Sequence, residues 1–177
     1  MYEKILVEAA ASSDPALPAT ILRLPCVYGP GDRHHRVGQV LARLESGRPF
    51  LLDRAKARWR WMRGSVRNVA EAIALAALDG RAAGRFYNVG EEPAPTESEW
   101  VHRIARAAGL SADVREVARA ELPRELAEPF DFAHNLVADT RRIREELGYR
   151  EVEDPEAAAR TAVAWERGAG APPASSS

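Results

Sequence analysis

Lys4 and Glu8 are the first residues along the chain whose types and spacing could support acid–base chemistry. Residues 2–12 favour an α-helix, so side chains four positions apart project from the same face. Lys4 and Glu8 could take part in acid–base catalysis only if a third side chain beside them exchanged a proton with a substrate. Tyr2 is two residues from Lys4 and points elsewhere on a helix, so we do not expect it to be that group. An ordinary solvated lysine is the alternative for Lys4.

The most basic stretch of the chain alternates with tryptophans. Its members are Arg54, Lys56, Arg58, Arg60 and Arg63, with Trp59 and Trp61 between them. We predict a strand over 58–62, which puts Arg58, Arg60 and Met62 on one face and the two tryptophans on the other. Guanidinium groups match phosphate oxygens in a two-pronged geometry, and tryptophan rings stack on bases. A solvated strand face above two core tryptophans explains the pattern equally well.

The run Arg33-His34-His35-Arg36 offers both imidazole and guanidinium groups. Adjacent histidines cannot easily reach one ion from a regular element, and His102 and His134 have no ligand spacing. We therefore predict no metal site. An arginine contact to a phosphate group is the better functional interpretation, and an exposed loop is the default one.

Hydrophobic periodicity and helix-capping signals predict the elements that must position these groups. Thr96 to Glu99 forms a capping box at the start of one helix. In the helix over 66–78 we expect the buried face to carry Val69, Ala70, Ile73, Ala74 and Ala77. The predicted helices are 2–12, 37–44, 66–78, 96–108, 139–147 and 155–165, and the predicted strands are 20–24, 49–52, 58–62, 85–89 and 113–117. Residues 122–132 form a linker, and 168–177 form a disordered tail.

Length and composition limit the class of protein. The chain has 177 residues, 25 basic and 26 acidic, and a formal net charge of -1, so no global field favours nucleic acid or a membrane surface. Its single cysteine, Cys26, excludes an internal disulfide framework and suits a reducing compartment. No apolar run is long enough to span a bilayer, and no signal peptide is evident. We expect one cytoplasmic α/β domain.

Five segments in this order resemble the extended short-chain dehydrogenase/reductase family, the NAD-dependent epimerases and dehydratases. They are Lys4 with Glu8, the strand and turn over 19–32 ending in Tyr28-Gly29-Pro30-Gly31-Asp32, the arginine-rich stretch leading to Val69-Ala70, Tyr87-Asn88-Val89-Gly90, and Asp139 to Leu147-Gly148-Tyr149. Asn68 stands where the family usually has an acidic residue. The likeness covers nearly the whole chain before the tail.

The resemblance implies the C-terminal part of a Rossmann-like parallel sheet plus a small α/β substrate-binding lobe, within residues 1–167. The residual Rossmann elements lie near 2–28 and 66–90, and the lobe lies near 32–63 and 96–165. Most family members act on nucleotide sugars with NAD or NADP. We therefore expect a nucleotide sugar or another small molecule as substrate.

Site residues follow from the same resemblance. In the family a tyrosine four residues before the lysine exchanges a proton with the sugar, and the lysine favours its phenolate and binds the nicotinamide ribose. Lys4 matches that lysine, but the tyrosine position lies outside the chain. Pro25, Cys26 and Val27 match the segment lining the nicotinamide pocket, although a buried strand end with a satisfied thiol explains Cys26 equally well. Arg33, Arg60 and Arg63 are the candidates for the substrate phosphates.

The chain also departs from the family pattern. A dinucleotide site needs a glycine-rich turn between a strand and a helix, because only glycine lets the backbone approach the pyrophosphate. Gly29-Pro30-Gly31 is a poor candidate, since it contains Pro30 and no third glycine precedes a helix. We therefore expect this chain alone to be catalytically inactive and not to bind NAD.

Two other functions compete with the substrate-binding half. One is a nucleic-acid-binding module that uses segment 54–63 as a stacking platform, which the near-zero net charge disfavours. The other is a non-enzymatic interaction subunit that pairs through a sheet edge left open. A homodimer is compatible with the family resemblance, and the sequence does not determine the oligomeric state.

Overall fold

The computed structural model describes residues 3–168. Within that range the helices are α1 (Lys4–Ala11), α2 (Arg36–Glu45), α3 (Arg54–Arg58), α4 (Val66–Leu78), α5 (Glu97–Ala108), α6 (Arg141–Leu147) and α7 (Pro155–Gly168). The strands are β1 (Ile21–Arg23), β2 (Cys26–Tyr28), β3 (Phe50–Asp53), β4 (Arg63–Ser65), β5 (Phe86–Asn88) and β6 (Val114–Val117). The predicted α/β class is confirmed.

The strands form three parallel pairs, β1 with β5, β2 with β4, and β3 with β6. In register, Leu22 lies opposite Tyr87, and Val27 lies opposite Gly64. Only Leu24 and Pro25 separate β1 from β2, so one extended segment changes its pairing partner at a proline, which has no N–H to give to a ladder. Parallel pairing requires long crossover connections, and α4 with the preceding lobe supplies the one from β1 to β5.

Two hydrophobic clusters hold the fold together. The larger one joins β3 to α2, α5 and α7, and Val37, Leu41 and Leu44 face it from α2 at helical spacing. The smaller one packs Val69 and Tyr87 against α6. The capping box predicted at Thr96 and Glu99 is confirmed, and the helix it begins ends at Gly109, whose φ is 69°.

The predicted strand over 58–62 is wrong. Residues 54–58 form α3, which Asp53 caps by accepting a hydrogen bond from the Ala55 amide, and the strand begins only at Arg63. Between them, Arg60 and Trp61 make only isolated bridges. The expected alternation therefore fails, because Met62, which was placed on the face opposite Trp59, is buried together with it.

The face of α4 that we expected inside is also wrong. Of the five residues expected inside, only Val69 is buried, and the other four are exposed. The residues buried together with Val69 are Asn68, Ala72 and Ala76. Asn68 turns inward because its amide bonds with the backbone at residues 152 and 153. The hydrogen bonds of Asn68 thus determine which face of α4 is buried, and this face differs from the one that hydrophobicity alone predicts.

The strand over 26–28 was missed, because its three residues looked like the approach to a turn. The part of the predicted tail beyond Gly168 lies outside the described residues, as does Tyr2. No helix within residues 3–168 has both the length and the apolar character required to cross a membrane.

Candidate functional site

Lys4 begins α1 and is exposed, whereas Glu8, one turn later, connects the helix to the sheet. The Glu8 carboxylate accepts hydrogen bonds from Arg23 Nε at 3.0 Å and Nη2 at 2.7 Å. The hydrogen bonds from Arg23 lower the pKa of the Glu8 carboxyl. This pair with Arg23 orients the face of α1 that carries Lys4.

Pro25, Cys26 and Val27 lie where β1 gives way to β2. Cys26 pairs with Arg63 in register and is half-buried, and desolvation raises the pKa of its thiol. A methyl group added to Gly64 would lie 2.9 Å from the Pro25 ring and 3.0 Å from Val69. Gly64 and Val69 therefore pack tightly against this segment. Because the pKa of its thiol is raised, Cys26 is not an activated thiolate.

Arg63 is buried inside the lobe. Its guanidinium bonds with the Glu97 carboxylate and donates to the Trp61 carbonyl at 3.2 Å. The ring centroids of Trp100 and Trp61 lie 4.5 and 5.2 Å from its central carbon. Arg63 thus already has an anionic partner, and a substrate phosphate would have to displace Glu97.

A buried polar cluster that the sequence analysis missed lies beside this pair. Glu91, 2% exposed, accepts hydrogen bonds from the Ser65 amide at 2.8 Å, from Tyr28 at 3.3 Å and from Asn68 at 3.4 Å. Burial raises the pKa of Glu91 and also that of Tyr28. The sequence held one signal of this cluster: Asn68 stands where the family usually has an acidic residue. In the structure Asn68 is buried and donates to Glu91.

The Gly29-Pro30-Gly31 turn does not fit a dinucleotide pyrophosphate. Gly29 has a φ of 120°, and an added methyl would lie 3.3 Å from Val66, so packing against α4 accounts for this glycine. At the start of α2, the Asp32 carboxylate accepts from the amides of His34 and Arg36 at 3.0 Å each. A pyrophosphate at this helix end would meet a negative charge already in place.

Arg33 is exposed in the same loop, and no contact brings it to Arg60 or Arg63 among the described residues. His35 bonds with Glu166 at 2.9 Å, which ties the loop to α7. Across residues 3–168, no group of three histidine, cysteine or acidic side chains converges as metal ligands would.

A cavity of about 200 Å³ lies between α2, β3 and the segment 119–132. We call it the lobe cavity; its lining includes Gln39, Arg43, Lys56, Arg119, Glu125 and Phe132. Lys56 forms an ion pair with Glu128, and the Phe132 ring contacts that of Trp59 at 5.3 Å between centroids. Three cations, an aromatic ring and the carboxylates of Asp53, Glu125 and Glu128 surround this space. Of the cations, only Lys56 belongs to the basic stretch noted in the sequence.

Arg60 points into a different cavity, a groove of about 560 Å³ beside α5. We call it the α5 groove; it is lined by Arg60, Pro93, Pro95, His102, Arg103 and Arg106, among others. The Arg60 guanidinium donates to the Ala94 carbonyl at 2.6 Å. The three arginines proposed from the sequence therefore lie in three surroundings: a loop, a groove and the interior.

The comparisons with known proteins agree on one family. A model of the NAD dependent epimerase/dehydratase family matches residues 1–90. No curated protein matches the sequence significantly. Among solved structures, UDP-glucose 4-epimerase from Thermus thermophilus in complex with NAD is 27% identical with a TM-score of 0.69, covering 94% of this chain and 51% of that one.

Two further structures show the same fold at lower identity. The dTDP-glucose 4,6-dehydratase from Bacillus anthracis, in complex with NAD, is 18% identical with a TM-score of 0.67, covering 91% of this chain and 48% of that one. UDP-N-acetylglucosamine 4-epimerase from Bacillus cereus is 17% identical with a TM-score of 0.68, covering 92% and 53%. The chain spans about half the length of these proteins, and it belongs to the NAD-dependent epimerase/dehydratase family of short-chain dehydrogenases/reductases.

Proposed function

We propose that this chain is the C-terminal, substrate-binding half of an NAD(P)-dependent nucleotide-sugar epimerase, dehydratase or related reductase. In the full enzyme, hydride transfer is coupled to acid–base chemistry by a tyrosine and a lysine. The proposal also holds that the chain alone binds no NAD and has no redox activity, because the one glycine-rich turn within residues 3–168, Gly29-Pro30-Gly31, does not fit a pyrophosphate.

The observation that carries the proposal is an unpartnered surface at β1 and α1. Within residues 3–168, β1 pairs on one edge only, with β5, and two-stranded parallel sheets are rarely stable alone. α1 has no buried residue, and Ile5, Leu6 and Val7 are 78%, 62% and 49% exposed. An isolated helix of eight residues is marginal in water, so a further α/β layer against this surface accounts for its apolar character.

Lys4 would serve the cofactor and the missing tyrosine from this helix. Pro25, Cys26 and Val27, at the carboxyl end of β1, would contribute the wall of the nicotinamide pocket, since ligands of open α/β sheets bind at that edge. These roles come from the family resemblance, and the exposed position of Lys4 is compatible with them.

For the substrate, we propose the lobe cavity as the site of the nucleotide. Arg43, Lys56 and Arg119 supply positive charge for the phosphates, and Phe132 supplies a ring on which a base can stack. Of the earlier candidates, Arg33 keeps an exposed guanidinium for a substrate phosphate. Arg60 and Arg63 are weaker candidates, because Arg60 lines the α5 groove and Arg63 is buried against Glu97.

Titration calorimetry of the chain with UDP-glucose and separately with NAD tests the proposal. We expect saturable binding of the nucleotide sugar, weakened about tenfold by Lys56→Ala, since a charge-assisted contact is worth roughly 1.5 kcal/mol or more. Arg58→Ala is the matched control, because Arg58 is exposed on the same helix and pairs with Glu116 at 3.7 Å. Tight NAD binding by this chain, or equal effects of the two variants, would contradict it.

The open edge of β1 also favours the second candidate, a non-enzymatic interaction subunit. That function requires association without nucleotide-sugar binding, so the same titration separates the two. The nucleic-acid module is disfavoured, because Trp59 and Arg63 are buried and cannot serve an exposed stacking platform.

A further inference from the structure

The α5 groove collects positive charge by helix geometry. Glu99, His102, Arg103 and Arg106 stand at positions i, i+3, i+4 and i+7 of α5 and so share one face of the helix. Arg60 comes from the facing segment, which the Trp59 carbonyl fixes by accepting from the Glu97 amide at 3.0 Å. Residues distant in the sequence thus meet above one helix.

The arginines of the groove are incompletely neutralised. One oxygen of Glu156 accepts from Arg103 Nε at 3.1 Å and from Arg106 Nη2 at 2.9 Å. Arg60 reaches Glu99 only at 3.4 Å. Among the described residues, three guanidinium groups therefore share two carboxylates, which leaves one positive charge and several N–H donors for another anion.

The size and the opposite wall of the groove indicate what kind of anion fits. Its volume of about 560 Å³ lies within the range usual for small-molecule sites and exceeds what a free phosphate needs. Pro93, Ala94 and Pro95 form an apolar side facing the charged helix. A ligand with a charged end and an uncharged body uses both sides.

We propose that the α5 groove binds a phosphate-bearing small molecule, with the phosphate on Arg60, Arg103 and Arg106 and the organic part against Pro93 and Pro95. The site goes beyond the proposed function and does not depend on it, because the lobe cavity has other lining residues. The phosphate competes with Glu156 for the two α5 arginines. Removing that carboxylate therefore strengthens binding, and removing an arginine weakens it.

Titration calorimetry with glucose 1-phosphate at low salt tests the proposal on the full chain. We expect Arg106→Ala to raise Kd about tenfold and Glu156→Gln to lower it about threefold, as charge-assisted contacts of this strength imply. Arg141→Ala is the matched control: Arg141 is exposed and pairs with Asp139 as Arg106 pairs with Glu156. Inorganic phosphate should bind more weakly, since it lacks the organic part.

Melting temperatures confirm that each variant is folded before titration, and Arg60→Ala provides a second variant should Arg106→Ala fail to fold. The proposal is overturned if glucose 1-phosphate gives no saturable heat. It is also overturned if Glu156→Gln does not strengthen binding, or if Lys56→Ala in the lobe cavity abolishes it. Failure of UDP-glucose binding alone affects the proposed function and leaves this site standing.

Discussion

The Glu8 carboxylate and the Arg23 guanidinium form a two-pronged ion pair, with oxygen to nitrogen distances of 3.0 and 2.7 Å, which joins α1 to β1. Since α1 has no buried residue, this pair is the main polar tie between the helix and the strand. The orientation of Lys4 therefore depends on a contact made one turn further along the helix.

Arg23→Met should loosen α1 without unfolding the domain. We expect faster amide hydrogen exchange over residues 5–11, because the helix loses its side-chain tie, and unchanged exchange in α5. Arg141→Met, which breaks the exposed pair with Asp139 on another helix, should leave α1 unchanged. Equal exchange in both variants would show that the ion pair does not hold the helix.

The buried pair of Arg63 and Glu97 should show strong coupling. Replacing either partner alone, as in Arg63→Met or Glu97→Leu, leaves an uncompensated charge and should lower the free energy of unfolding by about 3–5 kcal/mol. The double variant Arg63→Met with Glu97→Leu should recover much of that loss. Urea denaturation of the three variants measures the cycle, and additive losses would contradict the coupling.

Glu91 should make stability depend on pH in the direction opposite to most carboxyls. Burial raises its pKa above the ordinary 4.5, so the folded state binds the proton more tightly than the unfolded state. The contribution of Glu91 to the free energy of unfolding is therefore fully present below pH 4.5 and is lost as the pH rises through the raised pKa of Glu91. Asp79 and Asp139, whose pKa values the adjacent arginines lower from 3.8 to about 2, contribute stability above pH 3.8 and lose it only as the pH falls toward about 2.

Glu91→Gln should remove that dependence while keeping an acceptor for the Ser65 amide. We expect the urea midpoints of the variant to fall less than those of the original protein as the pH is raised above 4.5. Glu156→Gln is the control: desolvation acts to raise the pKa of Glu156, but hydrogen bonds from Arg106 and Arg103 outweigh it and the pKa is lowered. An unchanged pH profile in Glu91→Gln would refute the assignment.

Gly64→Ala should destabilise the junction of β1 and β2. The added methyl would lie 2.9 Å from the rigid ring of Pro25, and overpacking of this kind costs about 1–3 kcal/mol. Gly80→Ala is the control, since nothing lies within 4 Å of the added atom. Thermal unfolding of the two variants measures the difference, and equal midpoints would mean that the junction can relax.

Local signals predicted much of the fold. The capping box at Thr96, the apolar spacing of α2 and the strand over 86–88 depend on neighbours in sequence, and all three are confirmed. The strand over 58–62 failed because the helix capped by Asp53 runs through Arg58, and beyond it Arg60 and Trp61 make only isolated bridges. The face of α4 failed because Asn68 bonds with residues 152 and 153, far along the chain.

The candidate site was harder to predict for the same reason. Lys4 and Cys26 could be singled out by type and position, but the partners that define the surroundings of Arg60 and Arg63 come from α5 and the segment before it. The shared carboxylate of Glu156 comes from another helix again. Pairings over tens of positions leave no periodic trace in one sequence.

Pro25 couples two sheets that would otherwise be separate. The strand before it, β1, pairs with β5, and the strand after it, β2, pairs with β4. Between them the proline ring fixes φ at about −65°. We therefore expect a small rotation of the β1–β5 pair to move Cys26 and its register partner Arg63. Within residues 3–168 one edge of β1 is unpaired, and through Pro25 a contact at that edge would change the geometry of the β2–β4 pair.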